Sequence, residues 1–164
     1  MKLKDLIGER RAQVERLSNQ HGAVGERAAI DAMANWIPRP RGRAMKNLKC
    51  VLEEAGTPVK ASCFDAISVG SDHEVDFDDL ESLTALLPSM VFIEIKTATQ
   101  ERVKPGFSGY FFALTEGEIE AAEMLGGRHR VALFNRLTDE LLLTSVGEIL
   151  ARARSMTWQL SVQL

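Results

Sequence analysis

Cysteine is scarce in this chain of 164 residues, which contains only Cys50 and Cys63. Neither belongs to a Cys-x-x-Cys pair or to a Cys/His cluster, so we expect neither a zinc site nor a disulfide framework. Two buried free thiols in a reducing cytoplasm are the expected state. The histidines His21, His73 and His129 also lack the spacing of metal ligands, and we expect them on the surface or in loops.

Long apolar runs are missing as well. No segment approaches the roughly 20 consecutive apolar residues that span a bilayer, so no membrane contact is expected. The first segment, MKLKDLIGERR, has basic residues but no apolar core behind them, so a secretory signal is not expected. The sequence shows no internal repeat and no low-complexity linker. We therefore expect one domain over residues 1–164, with an N-terminal helix at 1–20 and a core at 22–164.

A general excess of positive charge is absent, because the formal net charge is −3. The chain as a whole is therefore not a basic nucleic-acid binder, but its charge is unevenly distributed. A basic loop, with no acid among its charges, contains Arg39, Arg41, Arg43, Lys46 and Lys49. We expect this loop to contact nucleic-acid phosphates. The acidic segment at about 71–88, which contains SDHEVDFDDLE, is expected to be an exposed and mobile insertion.

Hydrophobic periodicity predicts how secondary structure is ordered along the chain. Helices are expected at about 3–18 and 23–36, the second ended by Pro38 and Pro40, with a possible short helix in KNLKCVLEEA. Further expected elements are strands at 62–69 and 90–97, a short strand YFFAL, a helix after Thr115 with Glu118 completing a capping box, a hairpin turning at Thr138–Asp139, a helix VGEILARAR and an edge strand in TWQLSVQL. This order predicts an α/β domain with a mixed central sheet flanked by helices.

Two of the predicted strands carry charged residues that apolar strands rarely contain. Asp65 lies in CFDAISV, and Glu94 and Lys96 lie in MVFIEIKTATQ. Because successive side chains of a strand point to opposite faces, Glu94 and Lys96 project from the same face. Such charges are costly on an apolar strand unless they are paired or functional. The two carboxylates could share a divalent cation while Lys96 reaches the substrate, which would suit phosphodiester hydrolysis.

The order of these elements resembles the PD-(D/E)xK nuclease superfamily, which has the restriction-endonuclease-like fold. The resemblance is carried by a helix with Gly-Glu, a strand with Asp, a strand with Glu-x-Lys and a following helix, over roughly 22–137. More narrowly, the chain is similar to the domain at the carboxyl end of NO VEIN-like proteins. The similar segments are GERAAIDAM, FDAISV, FIEIKTA, FFALTEGEIEAA and VALFNRL.

The resemblance implies a role for each residue of the candidate site. Asp65 and Glu94 would be metal ligands, and Lys96 would be the catalytic lysine. Glu26 would be an auxiliary acid on the preceding helix, and Gln100 matches a polar residue that follows the lysine strand in some members. Mg²⁺ or Mn²⁺ would be the cofactor, with the Ile95 carbonyl completing the protein's share of its oxygen ligands.

Other interpretations of the same residues stay open. A Glu-x-Lys triplet is often a surface ion pair, and a helical acid such as Glu26 is often an exposed partner of a basic residue. One alternative is a catalytically inactive nuclease-fold protein that binds nucleic acid or a partner protein in a defence or repair complex. Another is a small α/β interaction protein in which Glu94 and Lys96 form a structural ion pair. A single site per chain would need a homodimer to cut both strands in one encounter. Because the chain is short for a nuclease with its own recognition domain, a partner protein that confers specificity is also expected.

Overall fold

The computed structural model describes residues 23–70 and 73–157. The helices are α1 (23–31), α2 (Gly42–Glu54), α3 (Leu80–Leu86), α4 (Glu116–Leu125) and α5 (Val146–Arg152). The strands are β1 (Trp36–Pro38), β2 (Ala66–Ser68), β3 (Val91–Ala98), β4 (His129–Asn135) and β5 (Glu140–Thr144). The mixed α/β class predicted from the sequence is confirmed.

The strands form one sheet in the order β1-β2-β3-β4-β5. β3 and β4 are parallel, and every other neighbouring pair is antiparallel. The parallel pair requires a crossover, and α4 lies in the connection between β3 and β4. β3 therefore occupies the centre of the sheet, with the short strand β2 on one side and β4 on the other.

Side chains of β3 alternate between the two faces of the sheet. Ile93 and Ile95 pack with Ala29 and Ile30 of α1 on one face. On the other face, Phe92 lies in a core cluster that includes buried residues of α2, α3 and α4. Ala98 lies in a second cluster on that face, with residues of β4, α4 and α5. Glu94 and Lys96 follow the same alternation and therefore lie between these two apolar clusters.

Helix α4 begins as the sequence predicts. The Thr115 hydroxyl accepts from the N–H of Glu118, and the Glu118 carboxylate accepts from the N–H of Thr115, which is the reciprocal capping box. The β4–β5 hairpin and α5 are also confirmed. Asp139, in the predicted turn, has a positive φ of 54°, a conformation that aspartate tolerates better than most residues.

Several predicted elements are wrong in extent or type. The helix expected over 23–36 ends at residue 31, and Trp36–Pro38 form edge strand β1 instead. The strand expected over 62–69 is restricted to Ala66–Ser68, because Ala61–Cys63 form a 3₁₀ turn. The basic segment is mostly not a loop, since α2 begins at Gly42.

Three further expectations are wrong, and they concern the strand YFFAL, the acidic segment and Cys50. Residues 110–114, expected as a strand, form no regular element. In the acidic segment, Leu83 and Leu87 are buried in the core, so its second half is not simply an exposed insertion. Cys63 is buried as expected, whereas Cys50 is an exposed free thiol.

Some expectations lie outside the described residues. These are the helix at 3–18 and most of the C-terminal strand. No helix within the described ranges is long and apolar enough to cross a membrane.

Candidate functional site

Asp65 lies immediately before β2, at a bend in the chain, and its backbone bonds to β3 and to the residue that follows β1. Its N–H donates to the Ile93 carbonyl at 2.7 Å, and its carbonyl accepts from the N–H of Arg39 at 2.8 Å. The paired register of β2 with β3 ends at Ala66↔Ile93, and Asp65 is the residue just before that pair. Asp65 is close enough to Glu94 for repulsion between the two carboxylates to raise the pKa of Glu94. The two carboxylates that the sequence predicts as metal ligands therefore lie near each other.

The Asp65 side chain turns towards the backbone of β3. Its Oδ2 accepts a hydrogen bond from the N–H of Ile95 at 2.9 Å. Its Oδ1 lies 3.6 Å from a guanidinium nitrogen of Arg39. Each carboxylate oxygen thus faces a different partner, and the carboxylate is held against the middle residue of the Glu-x-Lys triplet.

Glu94 and Lys96 form an ion pair on the face of β3 that α4 covers. The Lys96 ammonium donates to Oε1 of Glu94 at 3.0 Å. The Glu94 side chain is 9% exposed and that of Lys96 is 15% exposed. The pair is therefore largely buried and differs from the surface ion pair that Glu-x-Lys usually forms. Oε2 of Glu94 is buried and has no hydrogen-bond partner among the described residues. A buried carboxylate oxygen without a partner is costly, which makes it a candidate for a ligand contact.

Glu118, which the sequence alone does not assign to the site, adds a third carboxylate to the cluster formed by Asp65, Glu94 and Lys96. Lys96 also donates to Oε1 of Glu118 at 2.8 Å. Glu118 lies in the first turn of α4, is 4% exposed, and is the same residue that closes the capping box. The ammonium of Lys96 therefore lies between carboxylates from β3 and α4.

The electrostatics of the cluster favour proton or cation binding. Burial, followed by repulsion from Asp65, raises the pKa of Glu94 to about 8, although Lys96 acts in the opposite direction. Burial also raises the pKa of Asp65, against the opposing effects of the Ile95 N–H and Arg39. For Lys96, burial lowers the pKa, but Glu94 and Glu118 outweigh it, so the pKa is raised. The three carboxylates outnumber the two nearest cations, Lys96 and Arg39.

Arg39 has a structural role that its place in the basic run does not reveal. One of its guanidinium nitrogens donates to the carbonyls of Ala61 and Phe64, at 2.9 and 3.0 Å, and faces Asp65. These bonds tie the end of β1 to the 3₁₀ turn that precedes Asp65. Arg39 therefore positions Asp65.

Glu26 lies on α1, which packs on the other face of the sheet, and the charge of Asp65 affects it there. Burial and then repulsion from Asp65 raise its pKa, while Arg39 and Arg41 lower it, which places all of these groups in one electrostatic neighbourhood. The preceding Gly25 allows α1 to lie close to β3, since a Cβ atom there would overlap the Thr97 side chain. The Gly-Glu pair thus packs α1 closely against β3.

The remaining predicted residues lie further from the cluster. Gln100 is exposed beyond the end of β3, where its side-chain oxygen accepts from Arg102 at 2.9 Å. Arg41 is exposed before α2, and Lys46 and Lys49 are exposed on α2.

Arg43 is exposed but already paired. Its guanidinium lies 2.8 Å from the Asp78 carboxylate, so the basic segment contacts the acidic one. Any phosphate bound by Arg43 would compete with Asp78.

His129, expected at the surface, is buried at the start of β4. Its Nε2 lies 3.1 Å from the Cys63 carbonyl oxygen, and because a carbonyl only accepts, Nε2 carries the proton. Burial lowers its pKa, so the ring is neutral near pH 7. His73 is exposed, and His21 lies outside the described residues.

Within residues 23–70 and 73–157, no group of three or more His, Cys, Asp or Glu side chains could hold a metal ion. Magnesium does not require such a group, because it is commonly bound by one or two carboxylates together with waters and substrate phosphate. The orphaned Oε2 of Glu94, beside Asp65, fits that smaller donor set.

Comparisons of this chain with models of protein families, with curated proteins and with solved structures find no match.

Proposed function

We propose that this chain is a divalent-metal-dependent nuclease that hydrolyses DNA phosphodiester bonds, with a restriction-endonuclease-like fold of the PD-(D/E)xK type. The observation that carries the proposal is the meeting of Asp65 with Glu94, Ile95 and Lys96. These residues come from neighbouring strands, and one buried Glu94 oxygen has no partner in the described chain. Asp65 has structural partners in the Ile95 N–H and Arg39, whereas nothing in the described chain pairs with that Glu94 oxygen.

In this proposal Asp65 and Glu94 hold Mg²⁺ or Mn²⁺, and the Ile95 carbonyl is a further ligand. The bound ion would supply Lewis acidity towards a phosphate oxygen and a water of lowered pKa. Asp65 is suited to the task because Arg39 and the Ile95 N–H fix its orientation. The excess of carboxylates over cations favours a dication at this place.

Lys96 contributes the fixed positive charge of the site. Its raised pKa keeps it protonated at neutral pH, so it acts as a hydrogen-bond donor and not as a base. A buried ammonium that needs no reorganisation stabilises negative charge that develops on phosphate oxygens. Glu26 would hold a water or a second ion at the edge of the site. Gln100 would supply a polar side chain beyond the end of β3.

Exposed basic residues of the segment 39–49 would bind the DNA backbone. Arg41 and Lys49 are exposed, as is Lys46, so they could contact phosphates without losing another partner seen in the described residues. Such contacts would give affinity without base specificity, which a homodimer or partner protein would supply. A cytoplasmic location is part of the proposal and rests on the two free thiols.

The direct test is a plasmid-nicking assay with Mg²⁺ or Mn²⁺. Wild-type protein should cut, whereas Asp65→Asn and Lys96→Met should lose cutting by about 100-fold or more, as expected when a metal ligand or the main charge donor is removed. Glu123→Gln is the matched control, because Glu123 is an exposed residue on α4. Cutting that survives both substitutions would contradict the proposal.

A second candidate is a catalytically inactive protein of the same fold that binds nucleic acid or a partner protein. The observation that favours it is the saturation of Lys96 by two carboxylates, which leaves its ammonium little freedom to reach a substrate. Binding of DNA without any metal-dependent cutting would support this candidate.

A further inference from the structure

Glu118 is held by two separate elements of the fold. Its Oε2 accepts from the N–H of Thr115 at 3.0 Å, and its Oε1 accepts from Lys96 at 2.8 Å. Each oxygen therefore has its own donor, and the plane of the carboxylate is fixed by the capping box. The orientation of the carboxylate is thus set by the start of α4 and not by Lys96 alone.

The start of α4 is itself fixed against the sheet. Gly117 lies so close to the 3₁₀ turn before Asp65 that a Cβ atom there would be 3.1 Å from Sγ of Cys63. Ala121 and Leu125, on the following turns, are buried. The helix that carries Glu118 thus has little room to move relative to Asp65 and β3.

Lys96 has two carboxylate partners, and only one of them belongs to the proposed metal site. A dication held by Glu94 would repel the Lys96 ammonium and weaken its bond to Glu94. Glu118 would remain as its anionic partner, buried and already oriented. Without Glu118, no carboxylate would hold the Lys96 ammonium in one position while the metal is bound and the phosphate reacts.

We propose that Glu118 is a positioning residue that holds the Lys96 ammonium in place when a divalent cation occupies the Asp65–Glu94 site. This inference rests on the proposed function. Glu118 would then serve the reaction as well as stabilise the start of α4 through the capping box.

Glu118→Gln separates the two roles of the residue. Glutamine has a single side-chain oxygen, which can still accept from Thr115 and preserve the capping box. Its amide group would then face Lys96, so the charged partner is lost. Thr115→Ala is the converse control, because it removes the hydroxyl cap and leaves the Glu118–Lys96 contact in place.

The activity test uses supercoiled plasmid at saturating Mg²⁺. We expect Glu118→Gln to lower kcat by roughly 10- to 100-fold, the usual effect of losing an outer-shell partner, with KM for DNA unchanged. Thr115→Ala should lower the Tm and leave kcat close to that of the wild type. Wild-type kcat in Glu118→Gln would overturn the inference and leave the proposed function standing.

A second readout needs neither metal nor activity. In ¹⁵N-lysine-labelled protein, the Lys96 ammonium, held by two carboxylates, should exchange slowly enough to give a side-chain NMR signal. That signal should disappear in Glu118→Gln and persist in Thr115→Ala; its persistence in Glu118→Gln would overturn the inference. If Glu118→Gln does not fold, Glu118→Asp, which keeps the charge but is shorter, should also lose kcat and the signal, and wild-type values for it would overturn the inference.

Wild-type protein that cuts no DNA would overturn the proposed function, and the catalytic role of Glu118 with it. The NMR result would still show whether Glu118 holds Lys96, so the two failures are distinguishable.

Discussion

The carboxylate of Asp65 accepts a hydrogen bond from the backbone N–H of Ile95, 30 positions further along the chain. This bond fixes one acid of the site against the middle of the Glu-x-Lys triplet. It also explains why Asp65 is needed at the end of β2, where the ladder with β3 ends and an N–H of β3 requires an acceptor. The same residue thus completes the sheet and supplies a carboxylate beside Glu94.

Replacing Lys96 with Met should strongly destabilise the fold. The change leaves Glu94 and Glu118 buried without the ammonium between them, and loss of one partner of a buried pair costs about 3 kcal/mol or more. Urea unfolding measures the loss. The matched control is Arg27→Met, which breaks the exposed Arg27–Asp31 pair of α1 and should cost no more than about 0.5 kcal/mol. Equal losses in the two variants would contradict the buried role of Lys96.

The stability of the metal-free protein should decrease as pH rises towards 8. Because folding raises the pKa of Glu94 from 4.5 to about 8, the folded state binds this proton more tightly than the unfolded state does. Its contribution is present in full below pH 4.5 and is lost as pH rises through about 8, at about 1.4 kcal/mol per pKa unit. Glu94→Gln should flatten this dependence in urea unfolding between pH 5 and 9. Parallel curves for the variant and the wild type would contradict the raised pKa.

Gly25→Ala should destabilise the protein, although alanine is the better helix former. The added methyl group would overlap the Thr97 side chain, including its Cβ atom, and force α1 away from β3. Overpacking of this kind costs about 1–3 kcal/mol. The Tm from calorimetry should fall, and Thr97→Ala in the same chain should restore part of it. A rise in Tm would show that helix propensity dominates at this position.

Arg41→Gln and Lys49→Gln should weaken DNA binding without affecting the Tm. Each lost phosphate contact should reduce the slope of log affinity against log salt by about 0.9, measured by fluorescence anisotropy on a short duplex. Arg39→Met should instead lower the Tm, because it removes donors from the carbonyls of Ala61 and Phe64. An unchanged salt slope in both glutamine variants would contradict the predicted DNA contact.

The elements that the sequence predicts well are those specified by local signals. β3 is a run of β-branched and aromatic residues, and α4 has its capping box. The sequence does not predict β1, because Pro38 suggests a helix end. Proline is nevertheless tolerated at the edge of a sheet, where its missing N–H has no partner to lose. Residues 110–114 alternate in burial as a strand does, yet no neighbouring strand pairs with them in the described chain. The alternation in this segment therefore indicates which side chains are buried, and it does not indicate that the backbone pairs with another strand.

The candidate site was predictable only where its residues lie close in sequence. Glu94 and Lys96 share a strand, so their common face follows from the period of two. Glu118 shows only a capping signal in the sequence, because its contact with Lys96 depends on how α4 crosses the sheet. Arg39 stands in a basic run typical of phosphate contacts, while its partner Asp65 is brought to it by pairing of β1 with β2. Non-local pairing of this kind has no local sequence signature.

Asp65 and Glu94 are expected to bind a divalent cation together. Isothermal titration of metal-free protein with Mn²⁺, repeated with Asp65→Asn and Glu94→Gln, tests this most directly. We expect one ion per chain in the wild type, a Tm that rises with Mn²⁺ because only the folded state binds it, and loss of both effects in either variant. No binding and an unchanged Tm in the wild type would contradict a metal site here and leave Glu94 and Lys96 as a structural ion pair.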